Sequence, residues 1–121
     1  MKEPWGVSYH IDCRSCDSEI INSKEKLLLW VKTLIDEIGM ELYREPECIY
    51  FGTEPSKTGL SIIALITTSN VIAHCNEKDN STYIDLFTCR LTENLDEKIE
   101  KNILKWFNPV QISIEKLYRQ A

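Results

Sequence analysis

The stretch LSIIALITTSNVIAHC, residues 60–75, constrains this chain more than any other. Leu60, Ile62, Ile63, Ala64, Leu65 and Ile66 form a short apolar run rich in β-branched side chains, which reads as a buried strand. The run falls well short of the roughly 18 residues of a membrane span. Three adjacent hydroxyls, Thr67, Thr68 and Ser69, then arrive with Asn70, and the apolar character returns before His74 and Cys75. Buried polar groups need partners or a chemical task. The question is why a hydroxyl cluster and a histidine sit in the most apolar segment.

The flanking sequence supplies a sheet and its cover. Residues 6–12 alternate weakly as a strand. Asn22 with Glu25 forms an expected capping box. Leu27, Leu28, Val31, Leu34, Ile35 and Ile38 then recur at helical spacing, and Gly39 is a natural stop. Residues 41–51 read as a strand, with Pro46 implying a bulge or an edge. GTEPSKTG is a loop, and strands are expected over 61–68, 71–75 and 82–89. Asn94 with Glu97 is a second expected capping box, opening a helix whose stripe is Leu95, Ile99, Ile103, Trp106 and Phe107, ended by Asn108-Pro109. Val110, Ile112 and Ile114 alternate as a last strand. The predicted fold is α+β, a two-layer α/β sandwich. A mostly antiparallel sheet carries helices on one face, in the order β-α-β-β-β-α-β.

A length of 121 residues suits one domain spanning 1–121, large enough for a core without staples. The net charge of -5 argues against a nucleic-acid or anionic-membrane partner. The start, MKEPWGVSYH, shows no apolar signal region, so a soluble cytoplasmic protein is expected. The five cysteines, Cys13, Cys16, Cys48, Cys75 and Cys89, are expected as reduced thiols. HIDCRSC invites a zinc or redox reading. No second ligand pair accompanies Cys13 and Cys16, and the next expected helix starts several residues later. Both are therefore read as structural, and no metal site is expected.

The turn NEKDNS separates two strands. A hairpin centred on Asp79 would place Ser69 directly opposite Cys89, with Cβ atoms roughly 5 Å apart. A slip of one residue would undo that pairing. Along an uninterrupted strand, Ser61 lies about 26 Å from Ser69, and His74 about 16 Å away on the other face. Either the strand bends at Ser69, or Ser61 and His74 reach the site from a second copy. Each of these residues, taken singly, also has an ordinary structural role.

The chain resembles the bacterial and archaeal S-adenosylmethionine decarboxylases, small proenzymes that make their own pyruvoyl cofactor. WGVSYHIDCRSCD is similar to the family's opening strand, YFGTEPSKTGLSIIALITTSN to its loop and strand before the reactive serine, and YIDLFTC to its Asp-apolar-Phe-Thr-Cys signature. The family places a serine eight residues before the reactive serine, a histidine five after and a cysteine twenty after. Ser61, Ser69, His74 and Cys89 satisfy all three offsets.

The resemblance implies that Ser69 Oγ attacks the Thr68 carbonyl to form an ester, with Ser61 donating to the oxyanion. His74 then removes the Ser69 Cα proton, the chain parts between Thr68 and Ser69, and residue 69 becomes a covalent pyruvoyl group. That group forms a Schiff base with the substrate amine and takes up the electrons as CO2 leaves. Cys89 protonates the product, while Phe51 and Asn70 contact substrate. A homodimer with shared sites is also implied, Ser69 and Cys89 coming from one protomer and Ser61 and His74 from the other. The family's usual Glu-Ser-His junction is Thr68-Ser69-Asn70 here, and its Thr-Trp-Pro-Glu after the histidine is Cys75-Asn76-Glu77-Lys78. The first expectation is an S-adenosylmethionine decarboxylase feeding spermidine synthesis. The altered substrate end admits an arginine or ornithine decarboxylase, and the altered junction admits an uncleaved, non-catalytic binding or regulatory homologue.

Overall fold

A computed structural model of the chain describes residues 3–120; the outermost positions of the 1–121 span, 1, 2 and 121, lie outside the described residues. The elements in order are β1 (Gly6–Arg14), α1 (Ser18–Ile21), α2 (Lys24–Glu37), β2 (Glu47–Phe51), β3 (Gly59–Ile66), β4 (Ser69–Asn76), β5 (Ser81–Thr88), α3 (Leu95–Phe107) and β6 (Gln111–Arg119). The strands form one sheet in the order β2-β3-β4-β5-β1-β6. Every neighbouring pair is antiparallel. The α+β sandwich expected from the sequence is the architecture observed, but its element order needs correction. Four strands, not three, lie between the long helices. The chain reverses at Thr67-Thr68, so that Ile66 pairs with Ser69 and residues 60–75 are divided between two strands.

The helices follow their apolar spacing, while their caps differ from expectation. Ser23, not Asn22, caps α2, accepting from the Lys26 amide at 3.1 Å. Asn22 is already used, its Nδ2 donating to the Ser18 carbonyl at the end of α1. Gly39 closes α2 at φ 75° with the paired Gly39-to-Asp36 and Met40-to-Ile35 amide bonds of a Schellman turn. At α3 the expected capping box does not form. Asn94 sits at φ 57° in the left-handed region, and its side chain makes no cap bond. Asp96 and Glu97 in the first turn still complement the helix dipole. Asn108, also left-handed, returns its amide to Leu104 and hands the chain to Pro109. The predicted strand over 41–51 shrinks to β2 at an edge of the sheet, because Pro46 has no amide to donate.

The core lies between the helices and one face of the sheet. Leu27, Trp30, Val31, Leu34 and Ile35 of α2 meet Ile99, Ile103 and Phe107 of α3 above Ile11, Ile62, Val71 and Ile84. Each such aliphatic side chain stabilises the fold by about 1.5–3 kcal/mol. Trp30 packs edge-on against Phe107 at 4.8 Å. Its indole N–H is satisfied by buried Asn102 at 2.8 Å, and Asn102 in turn donates to Glu37 at 2.7 Å. The other face of the sheet carries no helix, and the candidate functional residues are divided between the two faces.

Candidate active site

The antiparallel register of β3 and β4 sets Ser61 directly opposite His74. Their side chains share the helix-free face, with Ser61 Oγ 2.8 Å from His74 Nδ1. The spacing of thirteen residues needs no bulge, because the two residues sit on facing strands rather than along one. Beside them lies a cavity of about 660 Å³ whose walls include Phe51, Lys57, Gly59, Ser61, His74 and Tyr83. Gly59 is required there, because a Cβ would collide with the Cys75 carbonyl. Tyr83, directly opposite His74 on β5, was not anticipated; only the correct hairpin register exposes it.

Thr68, Ser69 and Cys89 occupy the other end of β4. Thr68 completes the two-residue turn at φ 64°. A β-branched residue is held there in the left-handed region, which costs on the order of 1–3 kcal/mol. Ser69 begins β4 on the helix side and is buried. Its hydroxyl donates to Thr88 Oγ1 at 2.8 Å, and that oxygen also accepts from the Arg90 amide at 3.0 Å. The expected pairing of Ser69 with Cys89 is therefore shifted by one residue, and Thr88 faces Ser69. The shift follows from the β4–β5 turn. Asn76 Oδ1 accepts from the Lys78 amide and Asp79 Oδ1 from the Ser81 amide, enclosing four loop residues between Asn76 and Ser81. Cys89 meets Thr68 from the other side, its Sγ 2.9 Å from Thr68 Oγ1.

Two groups of residues therefore stand at opposite ends of β4, and Ser69 lies on the face opposite His74. Ser69 and His74, five residues apart in one strand, are separated by about 16 Å. The bend in the chain brings Ser61 to His74 but neither of them to Ser69. Asn70 pairs with Leu65 and Phe87, away from the cavity that holds Phe51.

The remaining thiols form a buried cluster. Thr82 Oγ1 donates to Cys75 Sγ at 3.7 Å and accepts from Cys16 Sγ at 3.8 Å. Burial pushes the Cys75 thiol up to about 12. A hydrogen bond from Cys13 holds Cys16 below its ordinary value, and the same bond, with burial, raises Cys13. The helix after this pair begins at Ser18, earlier than expected, but is only four residues long. All five cysteines are free. Among the described residues no cluster of three or more His, Cys, Asp or Glu could hold a metal ion, and no helix is long and apolar enough to cross a membrane.

The sequence profile of S-adenosylmethionine decarboxylase matches residues 7–120. The chain belongs to the S-adenosylmethionine decarboxylase family. The family comprises carboxy-lyases that act on the small molecule S-adenosylmethionine, generally through a pyruvoyl group. Its fold is also that of the adenosylmethionine decarboxylase from Aquifex aeolicus VF5. The TM-score is 0.80 at 15% identity, with 99% of this chain and 94% of that chain covered. Comparison with curated protein sequences gives no match. The function is accordingly of the S-adenosylmethionine decarboxylase type.

Proposed function

We propose that this family member is a self-processing, pyruvoyl-dependent S-adenosylmethionine decarboxylase, cleaved between Thr68 and Ser69 and working as a homodimer. Each site takes Thr68, Ser69 and Cys89 from one protomer and Ser61 and His74 from its partner. The observation that carries this reading is the division of residues along β4. Ser61 and His74 are hydrogen-bonded at 2.8 Å on the helix-free face, while the reactive serine lies at the far end of the same strand. That face also leaves Ile49, Phe51, Ile63 and Leu65 between 39% and 54% exposed. Apolar area of that kind suits a second copy of the chain.

The residues at the junction fit the proposed cleavage. Ser69 directs its proton to Thr88, which leaves an oxygen lone pair for the Thr68 carbonyl carbon. Left-handed strain at Thr68 is released when the peptide bond becomes an ester and the chain parts. Ser61 has one proton; if it goes to the oxyanion, Ser61 Oγ must accept from His74 Nδ1–H. The free base of neutral His74 is then Nε2, which takes the Ser69 Cα proton. Once formed, the pyruvoyl group supplies the electron sink for loss of CO2. Cys89 Sγ, beside the junction, delivers a proton to the product carbon. Phe51 offers its ring to the nucleoside end, and Asn70 contributes only near the junction. Decarboxylated S-adenosylmethionine would serve spermidine synthesis in the cytoplasm.

Intact-mass spectrometry of the purified protein tests the reading. Two fragments, one ending at Thr68 and one beginning at the converted residue 69, are expected. A single full-length species that persists on incubation would contradict it and favour a non-catalytic binding homologue. The bond between Cys89 and Thr68 gives that second reading its one specific support, since it engages the thiol assigned as proton donor.

A further inference from the structure

The hydroxyl that faces Ser69 has no hydrogen-bonding capacity to spare. Thr88 is fully buried on β5, directly opposite Ser69. Its Oγ1 accepts from Ser69 Oγ at 2.8 Å and from the Arg90 amide at 3.0 Å, which occupies both lone pairs. Its own proton is offered to Met40 Sδ at 3.6 Å and to the Arg90 carbonyl at 3.5 Å. Thr88 is thus held from the end of α2 on one side and from the chain leaving β5 on the other. A saturated hydroxyl does not serve as a base. What it supplies to Ser69 is a fixed direction.

The backbone around Ser69 is already tied down. The Thr67 amide donates to the Glu41 carbonyl at 3.4 Å and the Tyr43 amide to the Leu65 carbonyl at 2.9 Å. Between these two bonds Leu42 bridges to Ile66, and Ile66 pairs with Ser69 across the reversal. Segment 41–43 therefore holds the turn that carries the Thr68 carbonyl. The freedom left to the serine is its one heavy-atom torsion, χ1, with three staggered wells. Ser69 is buried, so bulk water does not compete for its proton. The bond to Thr88 is what chooses among the wells.

We propose that Thr88 is a positioning residue for self-cleavage, holding Ser69 Oγ in the rotamer from which it attacks the Thr68 carbonyl carbon. The inference rests on the cleavage reading given above. In that step the bond from Oγ to the carbonyl carbon forms and the C–N bond between Thr68 and Ser69 breaks. The hydroxyl proton ends on the freed amine of residue 69. Thr88 keeps its own proton throughout and contributes orientation alone, a contribution that grows with the precision of the attacking geometry.

Timed intact-mass measurements on full-length chains test it. The His74→Ala chain isolates the first step, because the ester it accumulates is cut by neutral hydroxylamine while ordinary peptide bonds are not. Thr88→Ser and Thr88→Ala are compared in that background and with His74 present. Both replacements are smaller than threonine, and they differ from each other only by the hydroxyl. Thr88→Ser should stay within about threefold of the parent chain and Thr88→Ala should fall at least about tenfold, in hydroxylamine-released fragment as in self-cleavage. Equal rates for the two, whether fast or slow, would overturn the role of Thr88 and leave the proposed cleavage standing. A wild-type chain that never divides, with no hydroxylamine-sensitive bond in His74→Ala, would overturn the cleavage reading and this inference together.

Discussion

The two ends of β4 solve different problems. At the His74 end the backbone is regular, paired on both sides, and the key contact is a direct cross-strand hydrogen bond. At the Ser69 end the backbone is forced through a left-handed threonine, and the Ser69 hydroxyl donates to Thr88. Under the proposed function, one end would hold a base and a donor still for a group that arrives, and the other would store strain in the bond to be broken. Each lacks what the other has. In the proposed dimer, the separation of Ser69 and His74 by about 16 Å would keep one chain from completing a site alone.

The sharpest way to break this contrast is Ser69→Ala. That variant should remain one chain indefinitely by intact mass, and any cleavage at position 68 would assign the nucleophile to another residue. Ser61→Ala comes next. Loss of one oxyanion donor should slow cleavage by about 10²–10³ in a timed gel assay. Unchanged cleavage would reduce the Ser61–His74 contact to a structural role. Thr68→Gly probes the strained end alone. Glycine adopts the left-handed region without penalty, so the released strain disappears and cleavage should slow by about tenfold, the equivalent of ~1.4 kcal/mol. A rate equal to wild type would mean that the turn contributes no driving force.

The smallest effect concerns the loop beside the His74 end. Hydrogen bonds from Tyr50 first, then Thr58, hold the Glu77 carboxyl below its ordinary value. With the folded value depressed, its contribution is fully present above the ordinary carboxylate range and is lost as pH falls through the lower folded value. The Tm difference between wild type and Glu77→Gln should therefore be constant at neutral pH and close in acid. A difference that persists in acid would mean that the clasp does not depend on the charge.

Much of this was legible in the sequence where periodicity governs. The stripe from Leu27 to Ile38 specified α2, and the alternation after Pro109 specified β6, because each pattern has one face to bury. Of the residues picked out by the offsets, Ser61 and His74 lie directly opposite each other, while Ser69 and Cys89 lie at the other end of β4. The turn at Thr67-Thr68 was not legible: it contains none of the Gly, Asn, Asp or Pro residues that normally permit a reversal. Nor was the register of β4 on β5, which side-chain bonds of Asn76 and Asp79 shift by one residue, concealing Thr88 and Tyr83. Caps were the least reliable, since Asn22 and Asn94 were each claimed by a different local geometry.

Co-expression of differently tagged Ser61→Ala and Cys89→Ala chains, followed by isolation of the mixed dimer population, tests the shared site most directly. Random pairing makes about half the dimers mixed, and each mixed dimer holds one complete site of two. The isolated mixed dimers should therefore recover about half of the wild-type decarboxylation of S-adenosylmethionine, and the unfractionated mixture about a quarter, although neither variant is active by itself. Verified mixed dimers with no recovered activity would contradict the division of the site between protomers.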